Sequence, residues 1–259
     1  MQIVSFEACG AKVLGYLQEE HDRLVAHRVR PALIICPGGG YYLVSPREAD
    51  PPALAFSALG YQVFILTYSI LEQAGNYRPL HQLAETVRTV REHSEAWHID
   101  PDKIAVMGFS AGGHLAASLG SLWDDAELAL SPASRPDALL LCYPVISLFA
   151  HTHQATSDNV SGGDEALREK LSVDRHITGR FPPSFLWHTV DDDSVPVENS
   201  LLLIQALRRE GVPFEAHLFA HGAHGISTCT QEVETPNPVC RPWLSLCQTW
   251  LNKQFQYTP

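Results

Sequence analysis

A serine with glycines two residues to either side, Gly108-Phe109-Ser110-Ala111-Gly112, is the stretch of this chain best suited to do chemistry. It follows Lys103-Ile104-Ala105-Val106-Met107, which reads as a short buried strand, and opens Ala111 to Leu119, which reads as a helix. A turn that tight pushes the hydroxyl out to where a carbonyl carbon can reach it, at some backbone strain. Two further stretches supply what such a nucleophile needs. Pro37-Gly38-Gly39-Gly40 follows a strand, and consecutive glycines let backbone N–H groups converge on the oxygen of a tetrahedral intermediate. Downstream, Asp191-Asp192-Asp193 and His221-Gly222-Ala223-His224-Gly225 each follow a strand, so serine, acid and histidine come in that order. The histidine would take the serine proton and return it to the leaving group, while the carboxylate fixes its tautomer. Residue type leaves Asp191, Asp192 and Asp193 equivalent, and chain order does not separate His221 from His224.

Other polar residues have plainer readings. Adjacent carboxylates such as Asp191 to Asp193 are more often solvated in a turn than metal-ligating, and no histidine pattern matches them, so no metal is expected. His151-Thr152-His153 alternates as zinc ligands do, yet reads as polar lid surface. His114 and His188 are expected to pack or hydrogen-bond near the site. Tyr41 and Tyr42, next to the glycine loop, either wall the acyl side of a pocket or pack in the core. Arg47-Glu48 reads as a charge pair at a helix start. The glycine loop does not continue into a phosphate-binding motif, so no nucleotide cofactor is expected.

The elements that must position these groups alternate along the chain. Lys12 to Leu17 reads as an opening edge strand, Arg23 to Arg30 as a polar hairpin or loop, and Ala32 to Cys36 as a strand buried on both faces. A helix is expected over Glu48 to Leu59, closed by Gly60, then a strand over Gln62 to Tyr68. Leu80, Leu83, Val87 and Val90 recur at helical spacing, which predicts a long amphipathic helix to about Trp97. After the serine helix, Trp123 to Pro136 is a loop or short helix and Ala138 to Cys142 a strand. Ile146 to Pro183 carries no strand signal and is expected to form a partial lid, polar throughout. Ser184 to Thr189 and Phe214 to Phe219 are strands, Val195 to Arg209 and Pro242 to Phe255 helices. Regular alternation implies an α/β fold with a mainly parallel central sheet and helices on both faces.

Length and composition agree. The 259 residues suit a single α/β domain over 1–259 with a sizeable core, 45% of them being hydrophobic. A net charge of −11 argues against nucleic acid or an anionic membrane as partner. The first residues, Met1 to Glu7, lack the basic and apolar regions of a signal peptide, and no apolar run reaches membrane-spanning length. The six cysteines form no C-x-x-C pair. A cytoplasmic protein with reduced thiols is therefore the expectation, and a homodimer is compatible with it.

Taken together, Gly38-Gly39-Gly40-Tyr41, Gly108 to His114, the stretch from Trp187 to Ser200, and His221 to Gly225 resemble the acetyl-esterase/lipase group of the α/β-hydrolase superfamily. Within that group the resemblance is to small bacterial acetylxylan-esterase-like and feruloyl-esterase-like carbohydrate esterases, and it covers the whole chain. It implies an α/β-hydrolase fold in which Ser110 is the nucleophile. It further implies Asp192 as the acid, because the family pattern is Asp-x-x-Val-Pro, and His224 as the base, the second histidine of His-Gly-x-His-Gly. The N–H groups of Ala111, Gly40 and Gly39 would form the oxyanion hole. Pro37 departs from the histidine of His-Gly-Gly-Gly motifs, so any hydrogen bond from that histidine is lost. The implied activity is cofactor-free hydrolysis of small short-chain esters of the acetyl type, acetylated sugars or xylo-oligosaccharides among them. Arylformamidase-like or peptidase-like amide hydrolysis is the alternative. A non-catalytic receptor on this fold would call for a damaged triad.

Overall fold

Long apolar runs flanked by turns leave the strands of this chain little choice but to pair in the interior. The computed structural model describes residues 1–19 and 29–258. Eight strands form one sheet: β1 (Gln2–Ala8), β2 (Ala11–Leu17), β3 (Arg30–Cys36), β4 (Gln62–Thr67), β5 (Ile99–Phe109), β6 (Ala138–Cys142), β7 (Ser184–Thr189) and β8 (Phe214–Phe219). Their order across the sheet is β1-β2-β4-β3-β5-β6-β7-β8, antiparallel where β2 meets β1 and β4 and parallel from β4 onward. This is the α/β-hydrolase fold that the motifs implied.

Alternate residues of each buried strand feed two cores. Ile34, Cys36, Val106, Leu139 and Leu141 meet α2 (Arg78–Glu92), α3 (Ala111–Leu122) and α6 (Glu198–Glu210) on one face. Leu33, Ile35, Met107, Leu140 and Phe185 meet α1 (Asp50–Ala58) and α7 (Trp243–Phe255) on the other. The buried stripe of α7 is Trp243, Cys247, Leu251 and Phe255, spaced four apart. Each large apolar side chain so buried contributes roughly 1.5–3 kcal/mol.

Several boundaries differ from the sequence reading, each for a local reason. The edge strand is β1, and the expected edge strand Lys12 to Leu17 lies inside it as β2. The two are joined through Cys9 and Gly10, with φ of 48° and 78°. Such a turn suits a two-residue hairpin, but Cys-Gly is a weaker hairpin signal than Asn-Gly. The helix expected from Glu48 starts at Asp50, where Pro51 and Pro52 occupy its first turn, and a short 3-10 turn over Pro46–Glu48 precedes it. The helix expected to reach Trp97 stops at Glu92; Trp97 instead stacks on Phe6 with ring centroids 5.6 Å apart. The polar stretch expected from Arg23 falls, up to residue 28, outside the described residues, and Arg30 already belongs to β3.

The segment 146–183, expected as a polar lid, holds two short helices, α4 (Gln154–Ser161) and α5 (Glu165–Leu171). Many of its polar side chains face inward: Thr156, Ser157, Ser161 and Ser172 are all buried. Fully buried Asn199, on α6, fastens its base. Its amide oxygen accepts from Ile146 N at 2.9 Å and Ser147 N at 3.1 Å, while its amide nitrogen donates to His151 O at 2.8 Å. Asn199→Leu would strand these backbone groups in the interior, at a cost of about 3 kcal/mol for the set. Urea unfolding should report a loss of that size, and a variant as stable as the wild type would show that water or another group takes their place.

Candidate active site

The turn from β5 into α3 carries Ser110, whose φ of 54° and ψ of −118° lie outside the regions favoured by residues with a side chain. Neighbouring backbone explains why glycines flank it. A Cβ on Gly108 would stand 2.1 Å from Gly112 O, and one on Gly112 would stand 2.0 Å from Cys36 O. The strained turn is held by hydrogen bonds from Ser110 N to Cys142 O at 3.0 Å and from Val145 N to Ser110 O at 3.2 Å.

The turns after β7 and β8 bring Asp192 and His224 to this serine. His224 Nε2 lies 2.8 Å from Ser110 Oγ and His224 Nδ1 lies 2.7 Å from Asp192 Oδ2. The other Asp Oδ atom accepts Ser194 N and Val195 N at 3.0 and 2.9 Å. Burial alone would raise the Asp192 carboxyl, but hydrogen bonds from His188 and His224 and from Val195 N hold it well below the usual carboxylate range. The remaining pair of candidates is brought together elsewhere: His221 Nδ1 meets Asp191 Oδ2 at 2.9 Å on the exposed surface. Asp193 points to solvent and accepts from the Ser194 hydroxyl.

His188, expected to pack or hydrogen-bond near the site, is fully buried beside Asp192. Its Nε2 faces two acceptors, Val195 O at 2.9 Å and Asp192 Oδ2 at 3.3 Å, so that nitrogen carries the proton. Its Nδ1 accepts from the Ser200 hydroxyl at 2.8 Å. The imidazole thus approaches the same Asp192 oxygen, Oδ2, that His224 Nδ1 meets.

The glycine loop after β3 is shaped by φ of 122° at Gly39 and 63° at Gly40, both positive. A Cβ on Gly39 would stand 2.2 Å from Leu43 O. Among the described residues, the N–H groups of Gly39, Gly40 and Ala111 donate to no protein acceptor. Where a histidine-led loop has its imidazole, this one has other braces. Pro37 O accepts from the Tyr68 hydroxyl at 2.6 Å, Gly38 N donates to Glu48 Oε2 at 2.8 Å, and Gly40 O accepts from Asn159 Nδ2 at 2.9 Å.

Glu48 is the residue that sequence reasoning missed. Read as half of a charge pair at a helix start, it is buried, whereas Arg47 reaches Glu234 across 3.7 Å of exposed surface. Glu48 Oε1 accepts from the Tyr143 hydroxyl at 2.7 Å, and that hydroxyl accepts from Ser227 N at 3.0 Å. The Tyr143 ring stands edge-on to His224, centroids 5.0 Å apart. One carboxylate therefore links the glycine loop to the loop bearing His224. Burial pushes its pKa up, against the hydrogen bond from Tyr143 and the charge of His224, which pull it down.

A pocket of about 450 Å³ opens over Ser110, lined by Gly39, Gly40, Tyr42, Leu43, His153 and His224 among others. Of the two tyrosines expected to wall it or pack in the core, Tyr42 lines the pocket. Tyr41 is turned into the core, where its hydroxyl meets His114 Nδ1 at 2.9 Å, because its backbone sits in the left-handed region with φ of 54°. His114 is itself buried, its Nε2 2.9 Å from Leu171 O, and burial lowers its pKa to about 4. Chemically, the arrangement offers a hydroxyl, a base in contact with it, a buried anion behind the base, and free N–H donors facing the same pocket. Among the described residues no helix is long and apolar enough to cross a membrane.

The family profile named BD-FAE matches residues 24–207 of the chain. The acetyl ester-xyloside bifunctional hydrolase of Caldicellulosiruptor lactoaceticus has 35% sequence identity and a TM-score of 0.85, over 96% of this chain and 89% of that one. The carboxylesterase Cest-2923 of Lactobacillus plantarum has 28% identity and a TM-score of 0.89, with both chains covered in full. Among curated relatives, the endo-1,4-beta-xylanase B of Butyrivibrio fibrisolvens is 33% identical over 213 residues, which are 78% of this chain and 33% of that protein. The acetylxylan esterase of Xylanibacter ruminicola is 29% identical over 206 residues, 75% of this chain and 40% of that one. The chain thus spans well under half the length of these two curated relatives.

Two measurements follow from the buried carboxylates. Glu48→Ala should lower kcat on 4-nitrophenyl acetate by about 100-fold, the scale of a disordered oxyanion donor, with the circular dichroism spectrum unchanged. A folded variant with wild-type kcat would show that the glycine loop holds its shape without the carboxylate. For Asp192, a folded-state pKa below the unfolded one means stability that is full above about pH 4 and lost as pH falls toward the folded value. The difference in unfolding free energy between wild type and Asp192→Asn should accordingly be largest at neutral pH and shrink below pH 4. A difference that stays constant down to acid pH would contradict the depressed pKa.

Proposed function

We propose, from the premise that the chain belongs to the BD-FAE family of α/β hydrolases and is a carboxylic ester hydrolase, that it is a serine esterase for short acyl groups on hydroxyl-rich alcohols such as sugars, its catalytic domain being residues 1–259. The observation that carries this reading is the unbroken line from Ser110 Oγ through His224 to Asp192, with contacts of 2.8 and 2.7 Å. Ser110 attacks the ester carbonyl while His224 Nε2 takes its proton, and Asp192 stabilises the resulting imidazolium. The oxygen that becomes an anion is received by the N–H groups of Gly39, Gly40 and Ala111. The dipole of α3, whose first turn begins at Ala111, favours that charge as well. His224 then gives its proton to the departing alcohol, and a water molecule, activated by the same imidazole, releases the acid.

Tyr42, Leu43 and His153 line the pocket beside Ser110, and the short-acyl reading takes Tyr42 and Leu43 to bound the acyl group. The names of relatives with acetyl-ester and acetylxylan activity support the same reading. A buried hydroxyl on the alcohol needs a partner, and polar lining supplies one where a lipid trough would not.

Ser110→Ala should lose four or more orders of magnitude in kcat and stay folded. Among single Asp→Asn changes at 191, 192 and 193, only Asp192→Asn should be crippled. Along a 4-nitrophenyl ester series, kcat/KM should fall from acetate through butyrate to octanoate, by a graded factor for each added pair of methylenes. A steady rise toward octanoate would refute the short-acyl reading, and an active Ser110→Ala would refute the mechanism.

A further inference from the structure

The roof of the pocket carries one donor that the mechanism does not use. His153 caps the N-terminus of α4: its Nδ1 accepts Thr156 N at 3.3 Å and meets the Thr156 hydroxyl at 2.9 Å. A nitrogen that accepts from an amide cannot carry the proton of a neutral imidazole, so the proton sits on Nε2. That Nε2 has no hydrogen-bond partner among the described residues, although the half-buried ring lines the pocket with Gly40, Ser110 and His224. Its Cε1 lies 3.4 Å from where a Cβ on Gly40 would stand. Burial first, and then the charge of His224, lower the pKa of His153, which keeps the ring a neutral donor at neutral pH.

The wall holding this ring is fixed. Thr156 is fully buried, the Ser157 hydroxyl donates to Leu148 O at 3.1 Å, and Asn159 from the same helix holds Gly40 O. Position along the substrate follows from the base. The leaving oxygen must sit beside His224 Nε2, because that atom returns the proton. His153 lines the same pocket as Ser110 and His224, so an ester seated on Ser110 lies before it.

We infer that His153 is a specificity-determining residue, its Nε2–H donating a hydrogen bond to a free hydroxyl on the alcohol half of the ester and so favouring partly acylated polyols over simple alkyl esters. The inference rests on the esterase reading above. A donor held for a substrate hydroxyl is left without a partner by an analogue that lacks it, and that loss is the source of discrimination.

Glyceryl monoacetate and n-propyl acetate make the test, since they share the acetyl group and the three-carbon alcohol and differ in two hydroxyls. The readout is the ratio of their kcat/KM values, followed by acid release at constant pH. Asn at position 153 keeps an acceptor for Thr156 N, so α4 stays capped while the Nε2–H is removed. His153→Asn should lower the ratio about tenfold, and His153→Ser, a second variant with a good cap, should lower it alike. A ratio within twofold of wild type in both variants overturns the inference, however far the absolute rates move, and leaves the esterase reading standing. A wild-type protein that hydrolyses neither ester overturns the esterase reading and the inference with it.

Discussion

The approach of Gly112 to the carbonyls of Cys36 and Pro37 is the contact on which the rest of this site depends. It presses the first turn of α3 onto the end of β3 so closely that not even a methyl group fits between them. Ser110 and the glycine loop are thereby fixed to each other through backbone alone, with no side chain free to slacken the distance. The price is the backbone of Ser110, held in a region that costs on the order of 1–3 kcal/mol. Hydrogen bonds to Cys142 O and from Val145 N, together with the near-complete burial of α3, offset it. The parallel strands end at one rim of the sheet, so the loops after β3, β5, β7 and β8 can all converge there.

Two buried carboxylates serve this rim, with pKa values displaced in opposite directions. Asp192 is surrounded by donors from two imidazoles and two backbone amides, which outweigh its burial and keep it an anion. At Glu48 full burial outweighs the hydrogen bonds from Tyr143, Gly38 N and Ser45 and the charge of His224, and its pKa is raised. The first can therefore stabilise a positive charge arising on His224. The second braces the glycine loop through Gly38 N and the Tyr143 hydroxyl. Between them they tie the glycine loop and the loop carrying His224 to the neighbourhood of Ser110.

Much of this was legible in the sequence because it is local. Ser110 announces itself through glycines that its own turn requires, and the strands through continuous apolar runs. What was not legible depends on contacts between distant positions. Glu48 sits ten residues from Gly38 but ninety-five from Tyr143, and nothing in Arg47-Glu48 distinguishes a buried brace from a surface pair. The choice among three consecutive aspartates came only from resemblance, since consecutive residues in a turn point in different directions and the sequence does not say which faces inward. Tyr41 and Tyr42 repeat that lesson: adjacent and identical, they separate into core and pocket because one adopts a left-handed backbone. Gln82 and Asn199, polar residues fully buried in helices, were invisible for the same reason, their partners lying in other elements.

The fastening of the segment above the pocket by Asn199 also bears on how such an enzyme would behave toward insoluble substrate. Lipases whose helical lids swing aside at an oil–water boundary show interfacial activation, a jump in rate once the substrate exceeds its solubility and forms droplets. Here the segment is bonded to α6 through three backbone groups and to the glycine loop through Asn159, so opening it would break the site it covers. Rate should then follow ordinary saturation by dissolved monomer and level off, with no discontinuity, as an ester passes into emulsion.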